Sequence, residues 1–284
     1  MNAEIRFCTL SSGSSGNATY VGAGGSGVLV DAGISAKRLT EHLQTVHVPM
    51  ESIQGLLITH AHIDHVRSMG TVARKFGKPL FMTSGARQQV GDMLTGGEQV
   101  TLIRPDVPFQ LGSLVITPVA TPHDSPGAVC YVMEHGGVRV GVLTDLGCVF
   151  DRLRDILPTL DGVVLESNHE PEMLWACARP YPVKQRIAGD GGHISNQEAA
   201  KLLRDHSSPR LRAIVLAHLS SDNNHPGLAT RRHAEIAAAF LLEHKPLLEV
   251  APRDMPSRML AVRPVPAAAA PGGAHPVPSA GSNG

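Results

Sequence analysis

Short runs of β-branched and aliphatic residues recur along the first 250 residues, separated by polar turns and by stretches whose apolar positions follow helical spacing. The early runs predict strands over 5–10, 19–21 and 28–31, followed by a helix over 35–46 with Ser35 as its N-cap. An apolar run over 55–59 stops at His60, and helical spacing resumes over 66–76. Later strands are expected over 114–119, 129–133, 138–144, 163–165 and 213–217, with helices near 149–157, 195–206 and 227–244. These elements best fit an α/β (α+β) arrangement in which two sheets are covered by helices on both outer sides. No fixed-period repeat is present.

From residue 252 onward the chain turns to Pro, Ala, Gly and Ser, so a folded domain over 1–251 and a disordered tail over 252–284 are expected. A hydrophobic content of 42% over 284 residues is enough for one large domain with a substantial core. No apolar run is long enough to cross a membrane, and residues 1–10 lack the basic-then-apolar pattern of a secretion signal. The expectation is a cytoplasmic protein with no membrane role. Cys8, Cys130, Cys148 and Cys177 form no CxxC pair, which predicts free thiols and excludes a zinc finger or disulfide scaffold. Lys plus Arg equals Asp plus Glu at 25 each, which argues against a general DNA-coating protein. With aromatics at 4% and Trp175 the only tryptophan, no base-stacking platform is evident. The 15 histidines change the picture, because imidazole is the commonest transition-metal ligand.

The segment His60-Ala61-His62-Ile63-Asp64-His65 puts three imidazoles and a carboxylate on one strand-to-helix turn. Such a turn can face two metal ions at once. His123, Asp145 and His218 each follow an apolar run, and strand ends at one edge of a layered fold gather side chains from remote sequence. Taken singly, each would more often be an ordinary loop residue, and the first motif could be surface histidines. Together they supply His60, His62 and His123 for one ion, Asp64, His65 and His218 for another, and Asp145 to bridge them.

In composition and order these seven residues resemble the metallo-β-lactamase superfamily, over about residues 5–250. The resemblance implies a four-layered αββα sandwich with the metals at one edge. Three further segments, 11–17, 166–169 and 192–196 with 218–224, look like the YycJ (WalJ) type of metallohydrolase. That branch implies a nuclease, with 5′ to 3′ exonuclease action on DNA favoured and nucleic acid as the partner. Phosphodiester cleavage is compatible with a two-metal site in which a hydroxide between the ions attacks phosphorus. Asp64 would then position or deprotonate that water, and Asp145 would keep the ions close. His193 matches a histidine of the ribonuclease Z group, which implies contact with phosphate or protonation of the leaving oxygen; Glu166 would orient it. The alternative for His193 is a helix-capping role. Ser12, Ser14, Ser15 and Asn17 could cradle phosphate or form a plain hairpin loop, and Asn168, His169 and Asn196 could line the cleft. Lys184, Arg186, Arg231 and Arg232 are either phosphate contacts or solvated helix faces. Zinc, manganese and iron all accept this donor set. Two rival readings stay open: a small-molecule ester or thioester hydrolase with the same metals, and a non-catalytic metal- or nucleic-acid-binding protein.

Overall fold

The computed structural model describes residues 3–264. The first sheet contains β1 (Ile5–Ser11), β2 (Ala18–Ala23), β3 (Ser26–Val30), β4 (Ile53–Leu57), β5 (Leu80–Thr83) and β6 (Val100–Ile103). The second contains β7 (Phe109–Leu111), β8 (Leu114–Ala120), β9 (Val129–His135), β10 (Val138–Leu143), β11 (Gly162–Glu166), β12 (Ala213–Ala217) and β13 (Leu247–Val250). A last strand, β14 (Leu260–Val262), returns to the edge of the first sheet, giving the order β14-β1-β2-β3-β4-β5-β6 opposite β13-β12-β11-β10-β9-β8-β7. In each sheet antiparallel hairpins give way to parallel strands: β3 to β6 in one, β10 to β13 in the other.

The helices are α1 (Ala36–Thr45), α2 (Ile63–Val66), α3 (Met69–Phe76), α4 (Ser84–Val90), α5 (Asp151–Ile156), α6 (Pro171–Ala176), α7 (Tyr181–Ala188), α8 (Asn196–His206), α9 (Pro226–Ile236) and α10 (Ala238–His244). Strand pleating sends alternate residues to opposite faces, and here both faces are buried. Ile5 and Phe7 of β1 join Tyr131 and Val164 between the sheets, while Cys8 and Leu10 face Leu39 of α1 and Val72 of α3. Across the molecule, Val215 of β12 points to the same central core, and Ile214 and Leu216 pack with Leu153 of α5 and Leu203 of α8. This two-sided burial makes the strands read as continuous apolar runs and produces the four layers expected. Among the described residues no helix is long and apolar enough to cross a membrane.

Ser35 caps α1 by accepting from the Arg38 amide, and Ser195 with Glu198 forms a reciprocal capping box at the start of α8. The helix expected over 227–244 is interrupted at Ala237, between α9 and α10. The folded domain also runs beyond 251. Ser11 Oγ donates to the Arg253 carbonyl, the Thr9 amide donates to Ser257 Oγ, and Leu260 and Val262 are buried against the central core. Composition conceals this because the segment over 252–264 is Pro- and Arg-rich, yet its packing needs only two apolar side chains. The remainder of the proposed tail, 265–284, lies outside the described residues. All four cysteines are free, and burial pushes the Cys8 and Cys130 thiols up to about 12.

His233 on α9 is buried and donates through Nδ1–H to the Ala229 carbonyl; burial lowers its pKa from 6.5 to about 4. Above the unfolded value of 6.5 neither state is protonated there and its contribution to stability is fully kept. As pH falls from 6.5 to about 4 the unfolded chain takes up the proton first, which lowers stability by about 3 kcal/mol. His233→Gln should flatten that part of the acid limb in urea melts between pH 6.5 and 4. An unchanged pH dependence would assign the loss to other groups.

Candidate metal centre and its cleft

The parallel directions of β3, β4, β8, β10, β11 and β12 bring their C-terminal ends to one edge of the sandwich. Asp31 follows β3, His60 lies three positions past the end of β4, His123 lies just past β8, Asp145 follows β10, Glu166 ends β11 and His218 follows β12. The turn from β1 to β2 reaches the same edge. Asp31, Asp145 and His218 hold positive φ angles of 64°, 55° and 57°, a left-handed conformation that Asp and His tolerate better than β-branched residues. Non-glycine residues in that region concentrate at functional sites.

All seven residues proposed as ligands converge. His60, His62 and His123 offer nitrogen atoms within 4.8 Å of one another, as do the ligating atoms of Asp64, His65 and His218. Asp145 lies between the two groups, its oxygens 3.4 Å from His65 Nε2, 3.6 Å from His218 Nε2 and 3.9 Å from His123 Nε2.

The far side of each imidazole explains why these atoms are ready to ligate. His65 Nδ1 lies 2.7 Å from Asp31 Oδ2 and His123 Nδ1 lies 3.0 Å from the Gly192 carbonyl. Carboxylate and carbonyl oxygens only accept, so both rings carry their proton on Nδ1 and present an Nε2 lone pair to the cleft. Thr59 Oγ1 donates to Asp31 and accepts from His60 Nδ1 at 2.9 Å, which fixes the same tautomer there. Two cleft-facing atoms, Asp145 Oδ2 and His218 Nε2, are buried without a hydrogen-bond partner among the described residues. Buried polar atoms are nearly always paired. Oriented lone pairs, two aspartates and orphaned ligating atoms fit a divalent cation.

The charges agree. Burial opposes ionisation of Asp64 and Asp145, yet the imidazoles of His218 and His65 hold both carboxyls well below the usual range. Burial likewise opposes charge on His218, but Asp145, Asp64 and Glu166 raise it to about 10. Burial and neighbouring imidazoles push His60 and His62 down. A divalent cation takes the place of such protons, since imidazole ligates only when neutral.

Around this centre, Asn17 donates through Nδ2 to Asp64 and approaches His65 Nε2 at 3.0 Å, while its amide donates to the Asp64 carbonyl at 2.8 Å. Gly33 is pressed so closely against the same carbonyl that a Cβ would overlap it. Ser12 Oγ is buried and accepts from the His218 amide, so it braces a proposed ligand. Ser14 lines the cleft, whereas Ser15 is exposed outside it. Asn168 Nδ2 donates to the His218 carbonyl; Asn196 bonds Ser167, Asn224 and Glu170; His169 is bridged to Ser195 and buried. These three stand behind the cleft. His193 reaches in from the other side, its Nδ1 2.8 Å from Glu166 Oε1. Burial works against the Glu166 charge, but His193 overrides it and lowers that carboxyl to about 2. The cleft encloses about 230 Å³, and its outer wall comes from α7 and the turn before it: Arg179, Val183, Arg186 and Ile187. Of the basic residues singled out in the sequence, Arg186 lines the cleft, while Arg232 is bound to Glu170 and Glu172.

The Beta-lactamase superfamily domain matches residues 27–219. The chain is 31% identical over 229 residues to exodeoxyribonuclease YycJ of Bacillus anthracis, covering 79% of this chain and 86% of that protein. It belongs to the beta-lactamase superfamily, in the YycJ/WalJ family. Exodeoxyribonuclease WalJ of Streptococcus pneumoniae strain D39 is 32% identical over 229 residues, 79% of this chain and 85% of that one. The metallo-beta-lactamase fold protein YhfI of Bacillus subtilis superposes with a TM-score of 0.69 at 15% identity, over 90% of this chain and 99% of its own, which shows the fold. As a beta-lactamase superfamily member with this His/Asp cluster, the chain is a metal-dependent hydrolase.

Sequence reasoning missed Asp31, Thr59, Arg179 and Asp124, whose Oδ1 lies 3.7 Å from both His62 Nε2 and His123 Nε2. The signal for Asp31 was present: the apolar run of β3 ends in a carboxylate, as β10 does before Asp145. Asp31→Ala should leave the Thr59 amide and His65 Nδ1–H unpaired, lowering stability by about 3 kcal/mol. It should also weaken zinc binding about 10- to 100-fold in a chelator competition, because the His65 ring loses its anchor. Native zinc affinity in a folded variant would show that the ring is held by packing alone.

Proposed function

We propose that the chain removes nucleotides from DNA in the 5′ to 3′ direction, as a phosphodiesterase that works with two divalent ions, zinc or manganese. The observation that carries this reading is the convergence of His60, His62 and His123 beside Asp64, His65 and His218, with Asp145 within reach of both groups. Support for DNA comes from two relatives called exodeoxyribonucleases, which share about a third of their residues with this chain.

Two ions held there would activate a water and offset charge on a phosphate. Asp64 keeps an ionised carboxylate at the cleft floor, oriented by Asn17, where it positions or deprotonates the attacking water. Arg179 and Arg186 offer guanidinium groups at the cleft wall, where they attract the phosphate backbone. Glu166 accepts a hydrogen bond from His193 Nδ1–H, leaving Nε2 to carry a second proton to the departing oxygen.

The test is a time course on 5′-labelled and internally labelled single- and double-stranded DNA, with RNA alongside, in added Mn²⁺ or Zn²⁺. Mononucleotides should appear progressively from the 5′ end, and Asp64→Ala should yield none. Internal fragments at early times would replace the exonuclease with an endonuclease. No cleavage of any polymer by protein that binds two metals would favour a small-molecule ester or thioester.

A further inference from the structure

The segment over 171–188 contributes little to the core. Leu174 is the only buried residue of α6 and α7 has none, yet the segment carries the chain's only tryptophan and one of its three tyrosines. Trp175 is 46% exposed and Tyr181 63% exposed, with ring centroids 6.0 Å apart at an angle of 40°. Lys184 Nζ donates to the Trp175 carbonyl at 2.8 Å, which ties α7 to the end of α6. Farther along α7, Val183, Arg186 and Ile187 form the cleft wall with Arg179. An aromatic pair, three cations and the metal cleft therefore lie on one short stretch of chain.

We infer that Trp175 and Tyr181 form a stacking platform for bases of single-stranded DNA running into or out of the cleft, with Arg179 and Arg186 on its phosphates. This inference rests on the nuclease reading and adds a residue-level account of how the strand is gripped. Large aromatic rings held in water by a segment with no core to fill are suited to bases, because every base has a π-face and stacking needs no sequence match. The charges fit the same occupant. Arg179 and Arg186 are partly exposed and paired with Asp222 and Asp124, from which a phosphate oxygen can draw them. Composition shows no cluster of aromatics, yet two rings suffice for this role where the fold brings residues six positions apart to 6.0 Å, tilted at 40°.

Because Trp175 is the only tryptophan, its emission reports directly on the platform. Metal-loaded protein is titrated with phosphorothioate oligothymidylate, which resists cleavage, while indole fluorescence is followed. Saturable quenching is expected, and Tyr181→Leu should weaken the affinity about ten-fold. Trp175→Leu, measured by anisotropy of labelled oligonucleotide, should show a similar loss, and Trp175→Phe should restore most of it. The wild-type protein is assayed in parallel on ordinary single-stranded DNA. Cleavage with no quenching, and with native affinity in both leucine variants, overturns the platform while leaving the nuclease reading intact. Neither binding nor cleavage, with turnover of a small ester, overturns both.

Discussion

Asp64→Ala is expected to reduce DNA hydrolysis by at least about a thousand-fold, because this carboxylate stands in two roles that no neighbour can assume. It lies 3.5 Å from His65 Nε2 and 3.8 Å from His218 Nε2, within the group proposed to hold one ion, and it is the most solvent-accessible carboxylate of the seven-residue set. Its side chain faces the open cleft while Asp145 is enclosed. Burial raises its pKa, but the His218 and His65 contacts more than reverse this, so it is ionised throughout the working range. Two measurements separate the roles. Metal content of the purified variant, by elemental analysis, reports on ligation; the single-turnover rate reports on proton transfer. Loss of one ion together with activity assigns Asp64 chiefly to ligation. Full metal content with activity lost assigns it to the water. Near-native turnover with both ions bound would remove Asp64 from the mechanism.

The positions legible in the sequence were those where one local signal was strong. HxHxDH is a dense pattern on a strand-to-helix turn, and His123, Asp145 and His218 each terminate an apolar run. The structure gathers all of these because the strands that precede them run in one direction. Strands β5, β6, β7 and β13 were not legible, since each spans only three or four residues and shows no period long enough to count. The same limit applies to α6 and α7, which lack a buried stripe. Thr59 escaped notice for another reason: it acts on a ligand through a hydrogen bond that no residue type or spacing announces, whereas Asp31 carried the same strand-end signal as Asp145 without a motif around it. Ser12, Asn168 and Asn196 show the converse. Their residue types suggest substrate contacts, but their donors and acceptors are taken up by the backbone of His218 and by one another's neighbours.

His193→Ala is expected to slow cleavage of natural DNA about 10²- to 10⁴-fold, and to slow an activated 4-nitrophenyl phosphodiester far less. The geometry gives the reason. Glu166 is fully buried, held ionised by His193, and its oxygens also accept from the Leu146 and Ile194 amides. A carboxylate so fixed keeps the His193 ring in one orientation, with Nδ1–H directed at Oε1 and the opposite nitrogen free. An alkoxide leaving from deoxyribose needs a proton as the bond breaks, whereas nitrophenolate leaves without one. Loss of a proton donor therefore penalises the poor leaving group selectively. Glu166→Gln tests the same arrangement from behind. The amide can still accept one hydrogen bond but no longer balances a charged imidazole, so the variant should lie between wild type and His193→Ala on DNA and follow the same leaving-group dependence. Equal slowing of both substrates would instead assign His193 to holding the phosphate in place, a role that does not distinguish one leaving oxygen from another.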